Sequence, residues 1–164
     1  MTQEQRENLI QEVEKLHKRN ELSQNVQEYY FEPGMMEYLE QSEGSFDESA
    51  GIVYLRFEAR GTRYDGRTEI IEKVKVGDEI RVVRDETNPY NHNNFFLLTK
   101  KGKDIGNVPA EICNVIAPLY DQRELIFENA CVSFVEPISK RSRYAKQAVL
   151  FVEVAAKVTT KNLV

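Results

Sequence analysis

Two short segments carry the side chains best suited to binding chemistry. Arg63 is followed directly by Tyr64, and a polar turn further along the chain contains Asn88, Tyr90 and Asn91. A guanidinium can fork onto a phosphate, an amide can donate to one, and a tyrosine ring offers a flat stacking face. The alternative is structural: the Tyr64 ring packs on the rim of the fold, Arg63 is solvated, and Asn88 caps its own turn.

Catalytic chemistry finds little support in the sequence. The two histidines, His17 and His92, have no Ser, Cys or Asp at a spacing that indicates a triad. There is no glycine-rich phosphate loop and no paired Glu and His metal signature. Cys113 and Cys131 have no ligand-type neighbour at metal-binding spacing, so we expect buried free thiols. The sequence therefore predicts a binding protein with no catalytic residue, metal or cofactor.

Length, hydropathy and charge limit the class of protein. The chain has 164 residues and is 41% hydrophobic, which is enough for one domain with a core plus an appendage. No stretch approaches the ~20 apolar residues of a membrane span, and the polar N-terminus is unlike a signal peptide, so we expect a cytoplasmic protein without a membrane partner. Residues 1–48 carry 12 acidic and 4 basic side chains, whereas the remainder carries 15 acidic and 18 basic ones. A mildly basic body is compatible with binding a short nucleic-acid segment.

The N-terminal part of the sequence predicts an acidic helical leader over residues 1–41. Thr2 and Gln5 have the form of a capping box, and apolar residues recur at helical spacing from Leu9 to Leu16. A second apolar cluster indicates another short helix before residue 41. These helices either dock on the main domain or on each other, or they form an arm for a partner or a dimer. The segment 42–51, rich in Ser, Gly and acids, is typical of a linker.

From residue 52 the hydrophobic period changes to that of strands. Strands are predicted over residues 52–60, 79–84, 95–98, 104–108, 125–135 and 148–158. Pro109 suits the first turn of a helix, which the apolar spacing continues to residue 120. We therefore expect a mainly β (α+β) fold, a small, partly open β-barrel of five to six strands with one inserted helix. This domain spans residues 52–158 and is followed by a tail at 159–164.

The order of motifs in this body resembles the HIRAN domain family. A strand ending in Arg84 and Asp85 leads into a turn from Asn88 to Asn94, and a segment from Ile105 to Pro109 then opens the helix. The usual family wording of the turn is Arg-Glu-Pro-x-Asn-Pro-Tyr-Asp-x-Asn-Ala-Ile. The resemblance covers about residues 50 to 157 and implies a modified, OB-like barrel. It also implies binding to the free 3′-hydroxyl end of single-stranded DNA.

The resemblance implies a DNA-binding role for several side chains. Arg63 and Tyr64 match the family's Arg-Tyr pair, and Tyr90 offers a second ring, with stacking worth about 1–3 kcal/mol per base. Tyr144 is the candidate for the aromatic of the last hairpin, although a charged, solvated hairpin is the alternative there. The complete candidate site is Arg63, Tyr64, Asn88, Tyr90, Asn91, Asn107, Arg143 and Tyr144.

The sequence departs from the family wording at three polar positions. Asn91 stands where the family usually has Asp, and Asn94 where it has Ala. An amide at position 91 accepts a hydrogen bond from a sugar hydroxyl more weakly than a carboxylate does, yet it does not repel a phosphate. This leaves selectivity for a 3′-hydroxyl open. Asn107 stands where the family often has Tyr or His facing the groove, and it can donate to a phosphate. Asn93 matches the family residue that braces the turn.

These observations predict a nucleic-acid-binding module for the end of single-stranded DNA. Since HIRAN domains occur both as stand-alone bacterial proteins and attached to helicase-like enzymes, the resemblance implies a helicase or nuclease as an associated protein and a role in DNA repair. The alternative is a protein-interaction module that acts through the N-terminal helices and has lost DNA binding. The sequence leaves the oligomeric state open.

Overall fold

Strands make up most of the chain after residue 42. The computed structural model describes residues 1–26, 43–47, 49–64 and 66–159, so the second leader helix and nearly all of the predicted tail lie outside the described residues. Its elements are α1 (Gln3–Val26), β1 (Glu43–Asp47), β2 (Ile52–Glu58), α2 (Arg67–Ile71), β3 (Ile80–Asp85), β4 (Asn94–Thr99), β5 (Asp104–Asn107), α3 (Ala110–Asp121), β6 (Leu125–Glu136), a 3-10 turn (Ile138–Lys140) and β7 (Val149–Val158). The mainly β prediction is confirmed.

The strands form two antiparallel sheets that meet along two edges. One sheet has the order β1-β2-β7-β6 and the other the order β3-β4-β5. Single bridges join them, from Arg60 just after β2 to Asn107 on β5, and from Glu79 just before β3 to Cys131 on β6. Strands β2 to β7 therefore follow a ring whose two seams are each held by an isolated bridge. This agrees with the predicted partly open barrel of five to six strands: the two sheets do not close into one continuous barrel, and β1 is added outside them.

Alternating apolar residues fill the interior of this barrel. On β2 the side chains of Val53, Leu55 and Phe57 are buried while the residues between them are not, which is the period-2 pattern of a strand with one covered face. Phe95 on β4 is fully buried. Helix α3 begins after Pro109 as predicted and turns its buried apolar residues towards the same core.

Helix α1 is docked on the domain along its apolar stripe. Its predicted capping box is present: the Gln5 N–H donates to Thr2 Oγ1 at 3.2 Å, and the Thr2 N–H donates to Gln5 Oε1 at 2.9 Å. Leu9, Val13 and Leu16 are all buried in the main core. The described part of the leader therefore follows the docking alternative, because its stripe is already covered by the domain.

The segment expected to be a linker contains a strand instead. Residues Glu43–Asp47 form β1, which pairs in antiparallel register with β2. A Cβ added at Gly44 would lie 3.2 Å from the carbonyl oxygen of Val13 and 3.3 Å from Leu16 Cδ1. Glycine fits here because helix α1 passes very close to the strand. The Ser, Gly and acidic composition of this segment is therefore compatible with a paired strand, and the linker prediction is wrong for Glu43–Asp47. Helix α2 is a second element that the sequence did not predict.

Candidate functional site

Two loops of the candidate site lie side by side at one end of the barrel. One leaves β2 and carries Arg63 and Tyr64, and the other precedes β7 and carries Arg143 and Tyr144. The Thr62 hydroxyl, which is buried, donates to the carbonyl oxygen of Ala148 at 3.0 Å and joins the two loops. The fold therefore joins the bases of two loops whose Arg-Tyr pairs are 80 residues apart in the sequence.

The two Arg-Tyr pairs have the same local geometry. The guanidinium carbon of Arg63 lies 4.8 Å from the Tyr64 ring centroid, and that of Arg143 lies 4.9 Å from the Tyr144 centroid. Each arginine also donates a hydrogen bond to the hydroxyl of its own tyrosine. The two rings are 51% and 76% exposed. Each pair thus presents a cation and a flat ring together at the surface.

The turn between β3 and β4 is held by its own asparagine side chains. Asn88 Oδ1 accepts from the backbone N–H groups of Tyr90 at 2.9 Å and Asn91 at 3.0 Å. Asn91 Oδ1 in turn accepts from the N–H of Asn93 at 3.0 Å. Side-chain capping of this kind fixes a turn. The Tyr90 side chain, 96% exposed, therefore projects into solvent from a well-defined backbone.

A buried polar network connects this turn to the strand below it. Asp85 Oδ2 accepts from Asn88 Nδ2 at 2.9 Å and from Asn94 Nδ2 at 3.0 Å. Asn94 Nδ2 also donates to Asn107 Oδ1 at 3.1 Å. Asp85 and Asn94 are both buried, and a buried carboxylate needs such partners. Neither residue was among the predicted site residues, although both lie within the family motif.

Arg67 continues the network to the loop that carries Tyr64. Its side chain is almost fully buried, and it donates to Asp104 Oδ2 at 2.8 Å, to the Gly61 carbonyl at 2.9 Å and more weakly to Asn107 Oδ1 at 3.5 Å. Asn107 is thus the point where the turn and the Tyr64 loop are joined. Nothing in the local sequence marks Arg67, because its partners lie on the loop after β2 and on the distant strand β5.

Arg84, the arginine of the family motif, braces the same turn from the other side. Its guanidinium donates to both carboxylate oxygens of Asp121 at the end of α3, at 3.0 and 3.1 Å, and to the carbonyl oxygen of His92 at 2.6 Å. The hydrogen bond to Asp121 raises the pKa of Arg84. Its charge is engaged in this bidentate pair, so we assign it a structural role.

A conserved-domain comparison identifies the family to which this architecture belongs. The family model of the HIRAN domain matches residues 52–152. The chain belongs to the HIRAN domain family. A search of curated proteins finds no match. The match begins at β2 and ends within β7, so it contains every residue of the predicted site.

Solved structures that this HIRAN chain is similar to include a human and a bacterial protein. The crystal structure of the HIRAN domain of human HLTF is 21% identical, with a TM-score of 0.46, and the match covers 63% of this chain and 76% of that one. A protein from Lactobacillus plantarum is 18% identical, with a TM-score of 0.47, over 64% of this chain and 98% of that one. The NMR structure of the HLTF HIRAN domain in its DNA-bound conformation is 19% identical, with a TM-score of 0.45, over 66% and 78%.

The structure groups the predicted residues of this HIRAN domain into two joined sets. Arg63, Tyr64, Arg143 and Tyr144 lie on the paired loops, and the predicted residues of the turn form the second set. Asn107 connects the sets through hydrogen bonds. Their roles in binding stay predictions. Among the described residues no cluster of His, Cys, Asp or Glu could hold a metal ion, and no described helix is long and apolar enough to cross a membrane.

Proposed function

We propose that this HIRAN domain binds the end of a single DNA strand. The observation that carries the proposal is the exposure of three tyrosine rings, Tyr64, Tyr90 and Tyr144, on loops that hydrogen bonds hold in place. Exposed rings contribute little to the stability of the fold, whereas stacking of a base on such a ring is worth about 1–3 kcal/mol. Membership of the HIRAN family supports the same function.

Phosphate contacts come from the cations and donors beside these rings. Arg63 and Arg143 lie next to two of the rings at the protein surface. Asn107 contributes a third donor: its Oδ1 is occupied by Asn94 and Arg67, and its Nδ2 lies beside the bare face of Gly61, 3.1 Å from where a Cβ would be. The fixed orientation of this amide turns its donor towards the Tyr64 loop, where an anionic oxygen would be bound.

The proposal does not need a separate partner-binding arm. That alternative rests on an uncovered apolar stripe in the leader, and the stripe of the described part of α1 is buried against the domain. The proposal includes a helicase or nuclease as an associated protein and a role in repair, because both follow from binding a DNA end. The docking of α1 on the domain supports neither of these two consequences.

The test is binding of short oligonucleotides to the Arg63→Ala, Tyr90→Ala double variant. Fluorescence anisotropy at moderate salt would use a labelled ten-nucleotide single strand with a 3′-hydroxyl, with a blunt duplex as the competing ligand. We expect the unaltered protein to prefer the single strand and the double variant to lose at least about a hundredfold in affinity, since one stacking ring and one phosphate contact are removed. Both residues are exposed, so the melting temperature should change little.

The matched control is the Tyr54→Ala, Arg81→Ala double variant. It also removes one exposed tyrosine and one exposed arginine, but both lie on the strands and away from the paired loops. The control should keep the affinity of the unaltered protein. Retained affinity in the Arg63 and Tyr90 variant, or equal losses in both variants, would contradict the proposed site.

A further inference from the structure

A basic groove lies along helix α2, beyond the candidate site. It has a volume of about 650 Å³ and is formed between the α2 segment and the hairpin that joins β4 to β5. Volumes of this size, about 300–1,000 Å³, are typical of clefts that hold ligands. The residues that give the groove its character are Ile70, Lys73, Val74, Lys100, Lys101 and Lys103. None of them belongs to the predicted site.

The lysines of this groove are available to a ligand. Lys73, Lys100, Lys101 and Lys103 are all exposed and make no ion pair with the residues that the structure describes. By contrast, the buried Arg67 and the half-buried Arg84 are both engaged with carboxylates. A solvated lysine that faces a groove can neutralise a phosphate without first breaking an internal pair.

The carboxylates of the groove only partly offset this charge. Glu69, Asp78 and Glu79 also line it, so the four lysines exceed the acids by one. Asp78 Oδ2 already accepts a hydrogen bond from the backbone N–H of Lys75 at 2.9 Å. The hairpin side, with Lys100, Lys101 and Lys103, has no acid among its lining residues. The positive charge is therefore concentrated on that side, opposite the apolar surface of the helix.

The floor of the groove is apolar. Both Ile70 and Val74 line it. Val74 is largely covered and Ile70 is half-buried against the core, so the exposed part of Ile70 supplies most of this hydrocarbon surface. A groove with cations on one wall and an apolar floor suits a nucleic-acid strand. The phosphates of a strand bind to cations, and the faces of its bases pack on apolar surface. A ligand that is only anionic would leave the floor uncovered.

The groove and the candidate site are neighbours along the chain, because α2 begins next to the Tyr64 loop and its later residues line the groove. The backbone N–H of Arg67 donates to the carbonyl oxygen of Tyr64 at 2.9 Å, so α2 starts at the candidate site. At the other side, Arg67 pairs with Asp104, the residue that follows Lys103 of the hairpin. Five helical residues rise only about 7.5 Å. A strand leaving the Tyr64 loop therefore reaches the lysines within a short distance.

We propose that the groove binds the continuation of the same DNA strand whose end occupies the tyrosine loops. The inference rests on the proposed function and extends it: the domain contacts a longer segment than the terminal nucleotides, and the lysine hairpin supplies the additional phosphate contacts. With a 3′ end at the loops, the groove holds nucleotides on its 5′ side. OB-type domains bind about 4–16 nucleotides of single strand, which accommodates both parts.

The test compares a four-nucleotide with a twelve-nucleotide single strand, both ending in the same 3′ sequence, by anisotropy at several salt concentrations. We expect the longer strand to bind more tightly. In the Lys100→Gln, Lys101→Gln variant this gain should fall roughly tenfold at 0.1 M salt, and the salt slope of log K should fall by about 1.4, since each phosphate contact contributes about 0.7. Binding of the four-nucleotide strand should be unchanged.

The Lys15→Gln, Lys157→Gln variant is the control, because it removes the same charge from exposed positions on α1 and β7. It should keep the gain of the longer strand. Equal affinities of the two strands for the unaltered protein, or equal losses in both lysine variants, would overturn the inference while leaving the proposed function intact. If neither strand binds, the proposed function fails and the inference fails with it.

Discussion

At the scale of single residues, Asn91 is the departure with the clearest chemical consequence. Its Oδ1 is already engaged by the N–H of Asn93, so the side chain has its nitrogen, a donor, left to face a ligand. A donor suits an anionic phosphate oxygen, whereas a sugar hydroxyl at this position would be better bound by an acceptor. Under the proposed function, we therefore expect position 91 to tolerate a terminal phosphate.

We predict that Asn91→Asp shifts end preference towards the 3′-hydroxyl. One carboxylate oxygen can keep the hydrogen bond to Asn93, and the other becomes an acceptor for the sugar hydroxyl while repelling a phosphate. The ratio of affinities for strands ending in a 3′-hydroxyl and a 3′-phosphate should rise about tenfold or more, measured by anisotropy with both ligands. Asn129→Asp, an exposed amide on β6, adds the same charge and should leave the ratio unchanged. An unaltered ratio in Asn91→Asp would show that this side chain does not face the strand end.

The contact between Asn94 and Asn107 could not be predicted from residue types alone. Both depart from the family wording, and the structure shows that they are hydrogen-bonded to each other at 3.1 Å. They are 13 residues apart, and their contact depends on the pairing of β4 with β5, in which Phe96 lies opposite Asn107. Residue types alone do not specify that register. The sequence therefore identifies two departures from the family wording, and the fold shows that their side chains contact each other.

At the scale of elements, alternation of apolar residues predicted the strands β2 to β7 and the helix α3 well. Their signal is local, because half-buried strands and amphipathic helices each impose a short period. The missed elements have no such signal. Strand β1 has no apolar alternation and contains a glycine, Gly44, where α1 passes closely, and α2 has only five residues, one of which is a buried arginine. Tertiary contacts, which the sequence does not display, decide both.

The loop between β2 and α2 depends on Gly61, and we predict that Gly61→Ala disturbs the candidate site. Gly61 has a φ of +70°, and an added Cβ would lie 2.8 Å from Arg67 Nη1 and 3.1 Å from Asn107 Nδ2. Both the backbone strain and the displaced network should lower the free energy of unfolding, by about 2–4 kcal/mol, and weaken oligonucleotide binding. Urea denaturation and anisotropy would measure the two effects.

Gly77→Ala provides the comparison for this change. Gly77 also has a positive φ, +92°, but a Cβ there would meet nothing within 4 Å. Its substitution should therefore show the backbone strain alone, about 1–2 kcal/mol, with unchanged oligonucleotide affinity. Equal effects of the two substitutions on both measurements would mean that the contacts of Gly61 with Arg67 and Asn107 do not support the site.

At the scale of the whole molecule, the uneven charge of the chain raises the hypothesis that the acidic leader shields a basic binding surface and lowers its affinity for nucleic acid. The structure shows that deleting the leader is not a clean test of this hypothesis. Residues 1–48 include α1, whose stripe is buried in the core, and β1, which pairs with β2. Deleting them would expose apolar surface as well as remove negative charge. A change in affinity after deletion could then not be assigned to charge alone.

We therefore predict first that α1 unfolds cooperatively with the rest of the domain. Leu9 is 1% exposed within the same core that contains the barrel residues. Leu9→Ala should lower the free energy of unfolding by about 2–5 kcal/mol, the usual range for a leucine removed from a packed core. Ile126→Ala, at a side chain 61% exposed, should change it by only about 0.5 kcal/mol. Both values come from urea denaturation, followed by far-ultraviolet circular dichroism. If Leu9→Ala is as mild as Ile126→Ala, or if α1 unfolds in an earlier separate transition, the leader is only loosely attached and the HIRAN domain folds without it.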